Sequence, residues 1–146
     1  MPFFIDTSAL FKRYQVEEGT EKICQIIENK DQSVFISSIT IIEVISNLKR
    51  LFEIDKITTE EQFQFQRSFF YRDIDNFGIT VLDITPEDII RADNLILKKY
   101  MKPVDSIQLA IALNLPVNNL SFVCADQSLC EIAAAEGLFV LNPEKP

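Results

Sequence analysis

Apolar positions along the chain fall into two alternating patterns. Five short runs are apolar at almost every position: Phe3 to Ile5, Ser33 to Ile36, Ile79 to Ile84, Leu120 to Cys124 and Leu138 to Leu141. Runs of this kind read as parallel strands covered on both faces. Between them, apolar residues recur at helical spacing. Thr7 to Tyr14 follows the first strand at once, Glu21 to Asn29 carries Ile23, Ile26 and Ile27, and Thr40 to Phe52 carries Ile41, Val44, Ile45 and Leu48. Thr59 to Tyr71 is rich in Phe. Thr85 reads as an N-cap with Pro86 at the first helical position and Glu87 and Asp88 in the first turn. That helix runs to about Tyr100, before a break at Pro103. Asp105 to Asn114 and Gln127 to Glu136 are two further helices, the second stopped by Gly137.

Strands alternating with helices predict an α/β domain whose parallel sheet of about five strands is joined by right-handed crossovers. No repeat, linker or charge block divides the sequence, so residues 1–146 read as one domain. The helix pair from Thr40 to Tyr71 interrupts the rhythm between the second and third strands. It is expected to project as a helical hairpin whose Phe residues form a packing surface.

Composition narrows the chemistry. There is no histidine, which removes every mechanism built on Ser-His or Cys-His. The formal charge of −8 is the wrong sign for holding nucleic acid on a broad basic face. An acidic protein can still act on phosphodiesters if bound cations supply the missing charge, with water activated by metal or by a carboxylate that metal assists. Cys24, Cys124 and Cys130 lack zinc-site spacing and are expected to be reduced thiols in or near the core. No apolar run approaches the roughly 20 residues needed to span a bilayer. The N-terminus shows neither a basic flank nor a small-residue cleavage site, so a cytoplasmic location without membrane association is expected.

Asp6, Glu43, Asp105 and Asp126 are the candidate functional acids. Each alone is compatible with helix capping; Glu43 stands three residues after Thr40 in the spacing of a capping box, and Gln108 stands three after Asp105. Together they are harder to dismiss. Asp6 and Asp126 each follow an apolar strand, at the edge where open α/β sheets bind ligands. Glu43 opens the helix after the second strand, and Asp105 begins the helix leading to the fourth. If those strands are neighbours, the four carboxylates meet, and two unit charges at about 4 Å repel by about 4 kcal/mol at an effective dielectric near 20. A cation relieves that cost, and oxygen ligands favour Mg²⁺ or Mn²⁺. Thr7 and Ser8, beside Asp6, are available to hydrogen-bond a carboxylate, a metal-bound water or a phosphate.

The run FIDTSAL (Phe4 to Leu10), continued by FKRY and EEGT, resembles the opening of PIN domains, particularly VapC-type toxin ribonucleases. SSITIIEVISNLKR (Ser37 to Arg50) resembles their second motif, with Glu43 as its acid. PVDSIQLAIAL (Pro103 to Leu113) resembles the third, with Asp105, and FVCADQSLCEIAAAEGLFVLNP (Phe122 to Pro143) the closing one, with Asp126. The resemblance covers essentially the whole chain in order. It implies a three-layer α/β/α PIN fold and Mg²⁺- or Mn²⁺-dependent cleavage of RNA at Asp6, Glu43, Asp105 and Asp126, with Thr7 or Ser8 assisting. It also implies a homodimer and a cognate antitoxin protein. The chain departs from the family at Gln127, where a basic residue is common, and at Ser128, where some members carry a further acid.

Rival readings lack their signatures. A haloacid-dehalogenase-like phosphatase needs a second Asp where Ser8 stands, and a receiver domain needs a Lys after a late strand. Gly19, Gly78 and Gly137 lie too far apart to form a phosphate loop. A catalytically inactive PIN-like module that binds RNA or a protein is the principal alternative. Lys12, Arg13, Lys49 and Arg50 lie near the first two motifs and read as solvated helix faces, or as a path for a phosphate backbone.

Overall fold

The computed structural model describes residues 1–145. Five strands form one wholly parallel sheet: β1 (Pro2–Ile5), β2 (Ser33–Ser37), β3 (Thr80–Leu82), β4 (Ser121–Val123) and β5 (Phe139–Leu141), in the order β3-β2-β1-β4-β5. Successive strands first step outward from β1 to β2 and β3. The chain then returns across the sheet to lay β4 on the other side of β1. The carboxyl ends of β1 and β4 therefore border the crevice where the winding direction reverses, the usual ligand position in such sheets.

Alternation along each strand divides the core in two. Phe3, Ile5, Val34, Ile36 and Val123 face one layer of helices: α1 (Thr7–Leu10), α2 (Thr20–Glu28), α3 (Ser38–Glu53) and α4 (Glu60–Asn76). Phe4 and Phe122, with rings stacked 5.7 Å apart, face the other: α5 (Pro86–Lys98), α6 (Pro103–Asn114) and α7 (Gln127–Ala135). The result is the three-layer α/β/α arrangement. Among the described residues no helix is long and apolar enough to cross a membrane.

Three local readings change. The segment after α1 tightens into a 3₁₀ turn over Phe11–Arg13 instead of continuing as α-helix to Tyr14. The second motif's helix starts two residues earlier than expected, at Ser38, so Thr40 lies inside α3 and is no cap. The α3–α4 hairpin does not project freely, because Val44, Leu48, Phe63 and Phe70 bury it in the first core. Phe65, 67% exposed, is the aromatic residue of α4 most open to solvent.

Lys12 and Arg13 are not solvated. Lys12 is buried and pairs with Glu17 and Glu144, at 3.0 and 2.6 Å, which pins the C-terminal segment to the first helical turn. Arg13 Nε donates to Asp73 Oδ2 at 2.7 Å, and its Nη1 donates to Glu28 at 2.6 Å. The Tyr14 hydroxyl donates to the same Asp73 oxygen at 2.6 Å. Burial and that carboxylate push the Tyr14 phenol well above its ordinary value, so it stays a donor. The network ties the segment after the first motif to α4. Cys124 and Cys130 approach each other sulfur to sulfur, with Cα atoms 6.2 Å apart, and Cys24 stands apart from them.

Candidate metal and nuclease site

Asp6 leaves β1 with extended backbone and caps α1, its Oδ1 accepting from the Ala9 amide at 3.1 Å. Its own amide extends the β1–β4 ladder by donating to the Val123 carbonyl at 3.0 Å. The Ser8 hydroxyl donates to both Asp6 oxygens, at 2.9 and 3.1 Å, and accepts from the Ala125 amide at 3.3 Å. Ser8 thereby joins the start of α1 to the loop that carries Asp126. Asp126 in turn caps α7 by accepting from the Leu129 amide at 3.2 Å.

Glu43 and Asp105 are not caps. Glu43 lies in the second turn of α3 and Asp105 in the first turn of α6, whose N-cap is Lys102. The Glu43 carboxylate is held from behind by the Thr7 hydroxyl, which donates to its Oε1 at 2.5 Å. Thr7 faces inward, away from the solvent that reaches Ser8.

All four acids line one cavity of about 500 Å³, together with Thr7, Ser8, Asn47, Gln108 and Lys102. Burial first, then the charges of Asp105 and Glu43, push the Asp6 carboxyl up to about 7 against the hydrogen bonds from Ala9 and Ser8. Asp105 is also raised, by burial, Asp126 and Glu43, with Lys102 opposing them. Among the described residues no three Asp, Glu or Cys side chains stand close enough to form a ready-made metal cage. The donor set is nevertheless all oxygen, and a carboxyl whose ionisation is opposed first by burial and then by neighbouring acids is what a hard dication relieves. Mg²⁺ commonly keeps several waters and binds through one or two carboxylates. The residues fit such an ion.

Asn47, Lys102 and Gln108 were not among the sequence candidates. Asn47 lies one turn beyond Glu43, and Gln108 one turn beyond Asp105, so helical spacing from the candidate acids was the signal for those two.

The PIN domain family model matches residues 3–135. The chain belongs to the PIN domain family. This PIN domain is also similar in fold to several solved chains. One is in FitAcB from Neisseria gonorrhoeae, at TM-score 0.70 and 15% identity, covering 97% of each chain. Another is in a toxin–antitoxin complex from Klebsiella pneumoniae, at TM-score 0.65 and 17% identity, covering 98% of each. A third is in VapBC-1 from nontypeable Haemophilus influenzae, at TM-score 0.63 and 16% identity, covering 99% of this PIN domain and all of that chain. At such identities the likeness is one of fold. No curated protein matches the sequence.

Proposed function

We propose that this PIN domain is a divalent-metal-dependent endoribonuclease, the toxin of a toxin–antitoxin pair. The observation that carries the reading is the single cavity at the sheet's switch point, in which Glu43, Asp105 and Asp126 gather around the buried Asp6 carboxyl, which has no cationic partner among the described residues. Those four acids would hold Mg²⁺ or Mn²⁺, which when bound supplies Lewis-acid charge and lowers the pKa of water for attack on phosphorus. Ser8 orients Asp6, and Thr7 orients Glu43. Lys102, at the cavity's rim, is the cation available to a substrate phosphate. With a net charge of −8 the surface gives RNA little general affinity, so binding depends on the site itself.

The partner half of the proposal rests on the similarity in fold to a chain of the Klebsiella pneumoniae toxin–antitoxin complex, and on a groove beside Glu43. Ile42, Ile45, Ile54 and Phe63 line it, Ile42 and Ile54 being 67% and 68% exposed, and Lys49 and Arg50 at its edge pair with Glu53 and Asp55. An apolar groove with a mixed-charge edge suits an amphipathic segment of a cognate antitoxin. A cytoplasmic homodimer completes the proposal.

Purified protein incubated with single-stranded RNA and Mn²⁺ is expected to cleave it, EDTA is expected to stop cleavage, and Glu43→Gln is expected to remove it while the melting profile stays cooperative. Undiminished cleavage in excess EDTA, or by the Glu43→Gln protein, overturns the mechanism. RNA binding without any cleavage by the wild type leaves the non-catalytic module.

A further inference from the structure

Gln108 is 1% exposed, yet it belongs to no helix cap and no ion pair. Its Nε2 donates to Thr40 Oγ1 at 2.7 Å and to Thr7 Oγ1 at 3.1 Å, and stands 3.5 Å from Glu43 Oε1. Its Oε1 is buried with no protein partner. An amide nitrogen has two protons and no usable lone pair, so it only donates. Reversing the amide would set its oxygen against the Glu43 carboxylate, which also only accepts.

This arrangement fixes the direction of the whole relay. A hydroxyl has one proton to give. Because Thr7 Oγ1 accepts from Gln108, its own proton is free, and two acceptors compete for it: Thr40 Oγ1 at 3.1 Å and Glu43 Oε1 at 2.5 Å. The carboxylate wins, being charged and closer. Thr40 Oγ1, already accepting from Gln108, needs no proton from Thr7 and has Ser37 Oγ at 3.4 Å. Glu43 is thus held from its buried side by a donor that α6 orients.

We propose that Gln108 is a positioning residue, fixing the Glu43 carboxylate at the cavity through the Thr7 hydroxyl. The proposal rests on the metal-nuclease reading and adds to it a link between Asp105's helix and Glu43. Gln108→Met keeps the volume and removes both donors. Thr7 and Thr40 then each lose one donor, so Thr40 competes harder for the Thr7 proton and the carboxylate is held less firmly.

The test is a cycle of wild type, Gln108→Met, Thr7→Val and the double variant. Cleavage kcat is expected to fall about tenfold in Gln108→Met, within the range for outer residues of metal sites. RNA KM should change less than about twofold, since the loss is not one of ground-state binding. In the Thr7→Val background the Gln108 change should add less than about twofold, because the relay is already cut. Wild-type kcat in Gln108→Met, or losses that multiply in the double variant, overturns the proposal. NMR on the metal-free wild type gives a reading that needs neither activity nor a folded variant. The Gln108 side-chain NH₂ protons are expected to be protected from solvent exchange, and exchange as fast as in an exposed glutamine overturns the relay. Protected protons without RNA cleavage would overturn the nuclease reading alone, and Mn²⁺ titration of the same four proteins then decides the positioning role. Mn²⁺ binding equal in wild type and Gln108→Met, or absent from the wild type, overturns it.

Discussion

Asp6→Asn is expected to abolish Mn²⁺-dependent cleavage while making the metal-free protein more stable at pH 8. The two effects have one cause. In the unfolded chain the Asp6 carboxyl titrates near 3.8, and in the folded protein burial and the neighbouring acids hold it at about 7. Between those values the folded state keeps a proton that the unfolded state has released, so stability falls as pH rises through that window and levels off above it. Asp105, shifted the same way, adds to the slope. The full cost above pH 7 is on the order of a few kcal/mol, or several degrees in Tm for a chain of this size. Asparagine carries no charge to bury and still caps α1 through its side-chain oxygen, so the variant loses most of the slope.

Mn²⁺ reverses the comparison. An ion that binds only the native state stabilises it by mass action, and wild type should recover at pH 8 what Asp6→Asn does not gain. Cleavage by the variant should drop by more than about a hundredfold, the upper end of what even outer-shell changes cost a metal site. Melting curves at pH 5 and pH 8, in EDTA and in millimolar Mn²⁺, read both halves. A wild-type Tm that is flat across that range in EDTA, or an equal Mn²⁺ increment in both proteins, would falsify the account of Asp6.

Asp73→Ala is expected to be the most damaging single change away from the cavity. Arg13 and Asp73 are only 5% and 4% exposed, so removing the carboxylate leaves a guanidinium in the interior with Glu28, itself 54% exposed, as its remaining partner. Tyr14 loses its acceptor at the same time. Orphaning one member of a buried pair costs about 3–5 kcal/mol, which for this chain length lowers Tm by on the order of 10 °C. Replacing both partners with apolar residues, Arg13→Met with Asp73→Leu, should recover much of the loss, because the desolvation cost disappears with the charges. Urea denaturation of the three proteins separates the cases. A single variant within about 1 kcal/mol of wild type would place this pair with ordinary surface bridges.

Fold was more legible than site detail, for a physical reason. Strands such as those read at Phe3 to Ile5 and Leu120 to Cys124 must be apolar on both faces when helices cover both sides, and that leaves a mark in the linear pattern. The helix starting at Pro86 was equally plain, since Thr85 and Asp88 do form a reciprocal capping box. Capping rules misled at Thr40, where the T-x-x-E spacing hides a buried hydroxyl that faces Gln108 across the first motif. They misled again at Gln108, whose distance from Asp105 copies a capping pair while its amide reaches elements far away in sequence. Lys12 and Arg13 looked solvated because nothing local announces partners as distant as Glu144 and Asp73. The closeness of Cys124 and Cys130 was missed because cysteine counting does not see two thiols on one strand-to-helix turn. Each miss is a contact between distant elements or a local spacing with two meanings.

The return of β4 to the side of β1 has a consequence for synthesis. Asp6 and Glu43 are made early, but the crevice has only one wall until Ser121 to Val123 docks against Phe3 to Ile5. A growing chain on the ribosome therefore carries half a site for most of its translation. Under the proposed function, the protein cannot attack RNA beside its own birthplace until residue 126 has emerged, and an antitoxin has that interval in which to be waiting.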